Sequence, residues 1–577
     1  WLVEISKKNK MKNYIKELRS KFNQYGIDGY IVPKNDDYFT EYSKINRLKI
    51  ISNFSGSAGL AVILKRKNYL FTDGRYTIQS KIESGKKFEI FGFERLVNCN
   101  LFKNLTLGID PKLFTNNQIN NYFLKYNKIK IINKNLIDEI KREKINSSIP
   151  FFSLHKNIVG EDRFSKINKI SNFLRKNNSD FIFISAPENV AWILNIRGND
   201  SPNSPVPNSR LIITKTRKIL LLSKLNNCKK LIQNKIIKKN EFLDIDKFPN
   251  KILQFKGVNF IIDNKSCSLY YENLIKSKFK IIGREDPTYL LKSIKNKTEI
   301  NNTIKAHILD GVALTKFLYW IKNINKKKIT EIEAEKKLEK FRKKNKNFLY
   351  PSFDTIAGSG KNGAIVHYRA KKKNCRNISK NDIFLCDSGG QYNYGTTDVT
   401  RTICFSSQSK NIKDIFTRVL KGHIAVATTD LKKDNIGKKI DRRARKFLKK
   451  VNLDYTHGTG HGVGFFLNVH EGPQSITKIN TVRIKEGMIL SNEPGYYKEN
   501  KFGIRIENLV YVKRENKKLF FENLTMAPIE KDLINFELLD KSEKNYLFKY
   551  HLNVYAKISK YLNQNERRWL ASFIQQI

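Results

Sequence analysis

Two stretches of this chain repeat one pattern. Residues 26–75 run as an apolar segment (DGYIVP), an acidic and Asn-containing turn, an aromatic segment ending in NFSGS, and two apolar segments (LAVIL, NYLFT) about a basic turn. Residues 179–224 pass through the same order as DFIFIS, PENVAW, NIRGND, RLIIT and KILLL. Short apolar runs bounded by turn residues read as strands. Their alternation with charged helical stretches such as 166–176 argues a mixed sheet with helices on its faces. The repeat therefore implies two related α/β domains. A boundary near 155–160 is weakly marked, and Arg284-Glu285-Asp286-Pro287 marks the next more clearly. The expected domains are 1–157, 158–286 and 287–577. A chain of 577 residues that is 40% hydrophobic can fill cores in three or four such units.

After Pro287 the pattern turns helical. Leu309, Val312, Leu314 and Phe317 carry helical apolar spacing within 306–324, and Thr330-Glu331-Ile332-Glu333 fits a capping box. GSGKNG at 358–363 looks like a phosphate loop, but it lacks the first glycine and the Ser/Thr after Lys361 that cradle phosphate.

The chemistry is concentrated in four later segments, DIFLCDSGGQYNYGTTDVTRTICF, THGTGHGVGFFLNVHEGP, LSNEPGYY and GIRIENLVYV. They contain Asp387, Asp398, His461, Glu493 and Glu507. Two divalent cations carry about four positive charges, which four carboxylates cancel, and a water between them can lose a proton near neutral pH. Asp387 and Asp398 flank apolar runs at 383–386 and 399–405 joined by a Gly-rich turn, the pattern of a hairpin that brings both carboxylates together. In GIRIENLVYV a strand places Arg505 and Glu507 on one face and Ile504 and Ile506 on the other. His457 and His461 have the spacing of a helical zinc pair, but Gly458, Gly460, Gly462 and Gly464 make a loop or strand the better reading. Singly, each residue has an ordinary reading as a turn cap, a solvated carboxylate or a packed imidazole. Jointly they do not, since four of the eight His in the chain (His367, His457, His461, His470) fall within or just before these segments.

This ordered set resembles the pita-bread metallopeptidases, the superfamily of methionine aminopeptidase, prolidase, aminopeptidase P and creatinase. The likeness is closest to the large, three-domain, cytosolic type of Xaa-Pro aminopeptidase. It extends to NFSGSAG, TDGRY, NVAWILNIRGND, SFDTIAGSGKNGAIVHYRA and YHLNVYAKI, and so spans nearly the whole chain. The implied fold is α+β: a C-terminal pita-bread domain preceded by two related creatinase-type α/β domains. The resemblance implies that Asp387 binds one metal, Asp398 and Glu507 bridge the pair, and His461 and Glu493 hold the other. Glu493 also accepts the proton of the bridging water that attacks the peptide. His367 and His470 match the family's non-ligand histidines, which move a proton and bond the scissile carbonyl oxygen. His457, Tyr497 and Arg505 match the wall of a proline pocket. Arg75 in TDGRY either reaches the substrate end of the cleft or pairs with Asp73. The family form is a homodimer.

The residue chemistry supports that activity. Hydrolysis of a peptide needs a polarised carbonyl, a nucleophile and a donor to the oxyanion, which two metals with flanking His groups supply. An X-Pro bond is a tertiary amide, so its departing nitrogen must be protonated, a task that suits a nearby His. A substrate's free amino terminus can bind a metal, which limits cleavage to the first bond. Oxygen-rich ligation with a single imidazole favours Mn²⁺, with Co²⁺ and Zn²⁺ as alternatives. Within the class, prolidase is the runner-up, and the chain's length and its two N-terminal domains argue against it. Methionine aminopeptidase in its usual form lacks those domains, and metal-free binding relatives have typically lost the ligands kept here.

A formal charge of +55 raises nucleic-acid binding as a competing function. The Lys residues are spread along the chain with abundant Asn and Ile rather than gathered in a stripe, which favours a compositionally basic, solvated surface over specific nucleic-acid recognition. Six scattered Cys (Cys99, Cys228, Cys267, Cys375, Cys386, Cys404) without CxxC spacing fit reduced thiols in a cytoplasm. No apolar run reaches the roughly 18–20 residues of a membrane span. The start, WLVEISKKNK, lacks an initiator Met and a signal-peptide apolar region, which makes either Met11 the first residue or the chain a fragment.

Overall fold

The computed structural model describes residues 11, 13–97, 100–141, 149–324 and 328–574; Trp1–Lys10 and Cys99 lie outside the described residues. The chain forms two compact units, 1–156 with 161–288, and 157–160 with 289–577.

The first unit contains two six-stranded sheets with one topology. In the first, the strand order is Glu89–Gly92, Asn68–Thr72, Leu60–Leu64, Gly29–Pro33, Thr106–Ile109, Lys128–Ile131. In the second it is Phe242–Asp244, Ile219–Ser223, Arg210–Thr214, Phe181–Ile184, Asn259–Ile262, Lys280–Gly283. In both, three central strands are antiparallel and the outer ones join in parallel. Gly29–Pro33 and Phe181–Ile184 occupy the same place and are buried along their whole length. A central strand covered on both faces reads as a continuous apolar run without alternation, which is how the repeat shows in sequence. The charged stretch before the second sheet is the helix Arg163–Lys176, capped by the Asp162 carboxylate on the Ser165 N–H and burying Ile167, Ile170 and Leu174.

The second unit wraps helices around small antiparallel sheets. The helix Lys297–Asn323 starts at an Asn296/Glu299 capping box, and Glu331–Lys343 starts at the expected Thr330/Glu333 box. Lys410–Ala427 turns Ile415, Phe416, Val419, Leu420 and Ile424 into a core shared with Leu547, Tyr550, Val554 and Ile558 of the helix Lys541–Ile558. Inside lie the strands Ile356–Ser359, Phe384–Ser388 and Val399–Ile403, the pair Gly495–Lys498 with Phe502–Arg505, and Ile489–Asn492 with Asn508–Glu515. Residues 358–363 run from the end of a strand into a 3₁₀ turn, with Asn362 bonded to Glu331.

GIRIENLVYV departs from the single strand expected of it. Phe502–Arg505 pairs with Gly495–Lys498, whereas Asn508–Glu515 pairs with Ile489–Asn492. Between them the Ile506 N–H bonds to the Pro494 carbonyl and the Glu507 N–H to the Thr400 carbonyl. The chain changes partner strand at Glu507. The five described cysteines are free, and no helix among the described residues is long and apolar enough to cross a membrane.

Candidate metal centre

Each acidic side chain reaches the centre from a different element. Phe384–Ser388 and Val399–Ile403 pair with Asp387 opposite Thr400, so Asp387 lies within its strand and Asp398 just before the next. Glu507 sits at the strand switch, where the Thr400 hydroxyl donates to its Oε2 at 2.8 Å. His461 ends the two-residue strand Gly460–His461, so the His457/His461 region is loop and strand, not helix. Gly460 is needed there because a Cβ would lie 2.0 Å from the Ser491 carbonyl oxygen. That approach brings His461 beside Glu493: the Ser491 hydroxyl accepts from the His461 N–H at 2.9 Å and donates to Glu493 Oε1 at 3.0 Å.

Donor atoms of Asp387, Asp398 and Glu507 lie within 4.8 Å of one another, as do those of His461, Glu493 and Glu507, and those of Asp398, His461 and His470. Glu507 and Asp398 thus each belong to two clusters. His461 Nε2 is 3.5 Å from Asp398 Oδ2 and 3.4 Å from Glu493 Oε1. Its Nδ1 is 2.9 Å from the Gly462 carbonyl oxygen, a contact that needs a proton on Nδ1 and turns Nε2 toward the carboxylates. Asp387, Asp398 and Glu507 are buried, while His461 and Glu493 are part-exposed, so the cluster opens on the His461 side.

The donors fit a pair of cations. Asp387 Oδ1 and Glu507 Oε1 are buried without a hydrogen-bond partner among the described residues. Burial, then repulsion from Asp387 and Glu493, pushes the Asp398 carboxyl well above its usual range. Burial, then Asp398, Glu493 and Asp387, does the same to Glu507. Burial also raises Asp387, with Arg505 opposing. Such a group is costly unless cations neutralise it.

Arg505 joins this cluster to a second wall. Its Nη2 donates to Asp387 Oδ2 at 2.6 Å, its Nε to the Thr400 hydroxyl at 3.1 Å and its Nη1 to the Tyr497 hydroxyl at 2.5 Å. Tyr497 in turn donates to His457 Nε2 at 2.9 Å, since His457 Nδ1 faces the Gly458 carbonyl at 2.7 Å. Burial lowers the His457 pKa to about 4 and raises that of Tyr497 to about 12, so both are neutral at physiological pH.

His470 packs edge-on against His461 with ring centroids 4.3 Å apart. His367 is half-buried in the turn after the 3₁₀ helix Gly360–Ala364, beside Tyr368, whose hydroxyl donates to Glu331 at 2.7 Å. That 3₁₀ helix packs on Phe502–Arg505: a Cβ on Gly503 would lie 1.8 Å from the Gly363 carbonyl oxygen. Arg75 belongs to the other compact unit, where its guanidinium donates to both oxygens of Asp73 at 3.0 and 2.7 Å.

Comparison with known proteins agrees with this arrangement. The model of metallopeptidase family M24 matches residues 301–514, and that of the C-terminal region of the same family matches 517–577. Two creatinase/prolidase N-terminal domain models match 15–135 and 142–299. A probable Xaa-Pro aminopeptidase P of Laccaria bicolor is 35% identical, covering 96% of this chain and 92% of its own length. The Xaa-Pro aminopeptidase 1 of Dictyostelium discoideum is 35% identical over 99% of this chain and 97% of its own. The chain belongs to the Xaa-Pro aminopeptidases of metallopeptidase family M24. The solved X-prolyl aminopeptidase of Caenorhabditis elegans, described as a cytosolic enzyme with a di-nuclear active site, matches with a TM-score of 0.90 at 27% identity, over 98% of this chain and all of that one. A prolidase from Pyrococcus furiosus matches at TM-score 0.51 and 26% identity over 62% of this chain and 98% of its own. The pita-bread domain and its two creatinase-type domains are thus those of the family.

Sequence reasoning passed over several supporting groups of this family member. Thr400 and Thr402 alternate with Val399, Arg401 and Ile403 after Asp398, a period-two polar run that marks one strand face. Thr400 links Arg505 to Glu507, and Thr402 bonds the Arg505 backbone. Arg445, paired with Asp441 at 2.8 Å, donates to the Tyr455 and His457 carbonyls and so fixes the His457 loop, which nothing in the local sequence announces.

Proposed function

We propose that this chain is a dinuclear metal-dependent Xaa-Pro aminopeptidase that releases the N-terminal residue from peptides with proline in second position. The observation that carries this reading is Asp387, whose carboxylate offers one unpartnered buried oxygen to the metal cluster while its other oxygen is held by Arg505 of the His457–Tyr497–Arg505 wall. Asp387, Asp398, His461, Glu493 and Glu507 would hold two divalent ions, Mn²⁺ by the preponderance of oxygen donors, which when bound would polarise the scissile carbonyl and acidify the attacking water.

The protein's own groups do the rest. Burial raises the Glu493 pKa, but His461, His457, Arg505 and His470 together outweigh it and hold the carboxyl below its usual range, so it stands ionised to take the water's proton. His470, beside His461 at the open side, donates to the carbonyl oxygen as charge develops there. His367 delivers a proton to the departing proline nitrogen, which as an imide nitrogen leaves poorly without one. His457 and Tyr497, both neutral, present a ring-lined wall that receives proline without desolvating a charge. The repeated sheets support separate domains at 1–157 and 158–286 before 287–577, and the likeness to the family supports a homodimer acting in the cytoplasm.

Incubation with Mn²⁺ and the peptides Arg-Pro-Pro, Ala-Pro and Met-Ala-Ser, with products identified by mass, tests the reading. Release of Arg from Arg-Pro-Pro with Met-Ala-Ser intact is expected. Cleavage of Ala-Pro alone would assign a prolidase, and comparable removal of Met would overturn the proline pocket.

A further inference from the structure

Arg401 is fully buried and forms no ion pair among the described residues. Its guanidinium donates instead to two groups of acceptors. In the first, Nη1 reaches the Thr400 carbonyl at 2.8 Å and the Glu507 carbonyl at 2.7 Å, and Nη2 reaches Asn508 Oδ1 at 2.8 Å. In the second, Nε bonds the Pro528 carbonyl at 2.8 Å, while Nη2 bonds the Ala527 carbonyl at 2.8 Å and the Tyr550 hydroxyl at 2.9 Å. Tyr550 comes from the helix Lys541–Ile558 and itself donates to the Ala527 carbonyl at 2.7 Å.

Of the first set, the Glu507 carbonyl lies in the short stretch between two strand ladders, with Thr400 and Asn508 at the ladders beside it. Ile506 and Glu507 belong to neither strand ladder, because the chain changes partner there. Arg401 supplies the Glu507 carbonyl with the donor that a ladder would otherwise give, and Thr400, whose carbonyl it also holds, carries the hydroxyl that bonds Glu507 Oε2. Both ends of the Thr400–Glu507 contact thus rest on one side chain, and that side chain rests on residues 527–550. Burying a guanidinium among neutral acceptors is expensive: burial lowers the Arg401 pKa, with Tyr550 and then Glu507 opposing.

We propose that Arg401 is a positioning residue through which the C-terminal region, by way of Tyr550, sets the metal affinity of the centre at Glu507. The inference rests on the assignment of Glu507 as a ligand in the proposed function. Outer groups that orient ligands typically change metal affinity roughly 10- to 100-fold when removed.

The test is Mn²⁺ binding to the full chain, measured by competition with a fluorescent chelator, together with the thermal midpoint of the metal-free protein. Tyr550→Phe removes one acceptor of Arg401 and keeps the ring. Tyr555→Phe, on the same helix, removes the hydroxyl of a half-buried tyrosine that Arg401 does not contact and serves as control. Tyr550→Phe should weaken Mn²⁺ binding roughly 10-fold while Tyr555→Phe leaves it unchanged, with similar thermal midpoints for both. Arg401→Lys, which keeps the charge but loses the planar fork, should weaken binding further. Equal Mn²⁺ affinity in wild type and Tyr550→Phe, or equal weakening by both tyrosine variants, overturns the inference. A wild-type chain that takes up no Mn²⁺ overturns the metal-centre reading, and this inference with it.

Discussion

Arg505 Nη2 lies 2.6 Å from Asp387 Oδ2, a buried pair in which the guanidinium occupies one carboxylate oxygen and leaves the other without a partner. One residue therefore both orients a metal donor and, through Tyr497, shapes the wall beyond it. Lys at this position would keep a charge but could not span Asp387, Thr400 and Tyr497 together. Arg505→Lys should lower kcat/KM roughly 10- to 100-fold and weaken metal binding in parallel. Loss of activity with unchanged metal affinity would confine Arg505 to the substrate wall.

Much of this is legible in the sequence, for a physical reason. The central strands of both N-terminal sheets are covered on both faces, so their apolar runs repeat visibly, and the helix start at Thr330 uses a side-chain cap with strong residue preferences. The five clustered donors stood out because carboxylates and His rarely gather on apolar, Gly-flanked segments without a cation. The break at Glu507 was not legible, since GIRIENLVYV has uninterrupted strand periodicity. The break arises from the partner strands, Gly495–Lys498 on one side and Ile489–Asn492 on the other, which lie outside the segment. The supporting roles of Arg401 and Arg445 are hidden for a similar reason: each holds its site segment through backbone carbonyls, of Thr400 and Glu507 for Arg401 and of Tyr455 and His457 for Arg445, and a carbonyl carries no sequence signature.

The basic surface should be separable from the metal centre. Lys438, Lys439, Arg442, Arg443, Lys446 and Lys449 line the exposed side of the helix Gly437–Lys449, whose Ile440, Ala444 and Leu448 are buried. Any RNA binding should be sequence-independent and fall steeply between low and physiological salt. Asp398→Asn should leave it intact while abolishing peptide hydrolysis, since that carboxylate belongs to two donor clusters. Tight, sequence-selective binding at physiological salt in a filter or anisotropy assay would contradict this assignment.

His551 and His423 give the fold a pH dependence of predictable sign. Burial, followed by repulsion from Arg401, lowers both to about 3. The unfolded imidazole titrates near 6.5, so below that pH the unfolded chain takes up a proton the folded chain refuses. The stability each contributes is whole above 6.5 and declines as pH falls toward 3, by about 2 kcal/mol per histidine between pH 6.5 and 5. His551 Nε2 accepts from the Ile529 N–H at 3.1 Å, an acceptor role that Gln can keep. His551→Gln should narrow the gap between denaturation midpoints at pH 7 and pH 5 relative to wild type. An unchanged gap would mean that His551 is protonated in the folded state.

The last expectation separates proton transfer from metal binding. His367 lies in a turn held by the Tyr368–Glu331 hydrogen bond, next to the 3₁₀ helix that packs on the strand carrying Arg505. It belongs to none of the donor clusters formed by the described residues. His367→Ala should therefore retain both metals and the thermal midpoint while lowering kcat by roughly 10²- to 10⁴-fold, the usual effect of losing a positioned acid or base. KM should change far less if the group acts mainly in the transition state. Elemental analysis alongside steady-state kinetics decides the matter. Loss of one metal would make His367 a ligand, and full activity would transfer the proton-donor role to His470 or to metal-bound water.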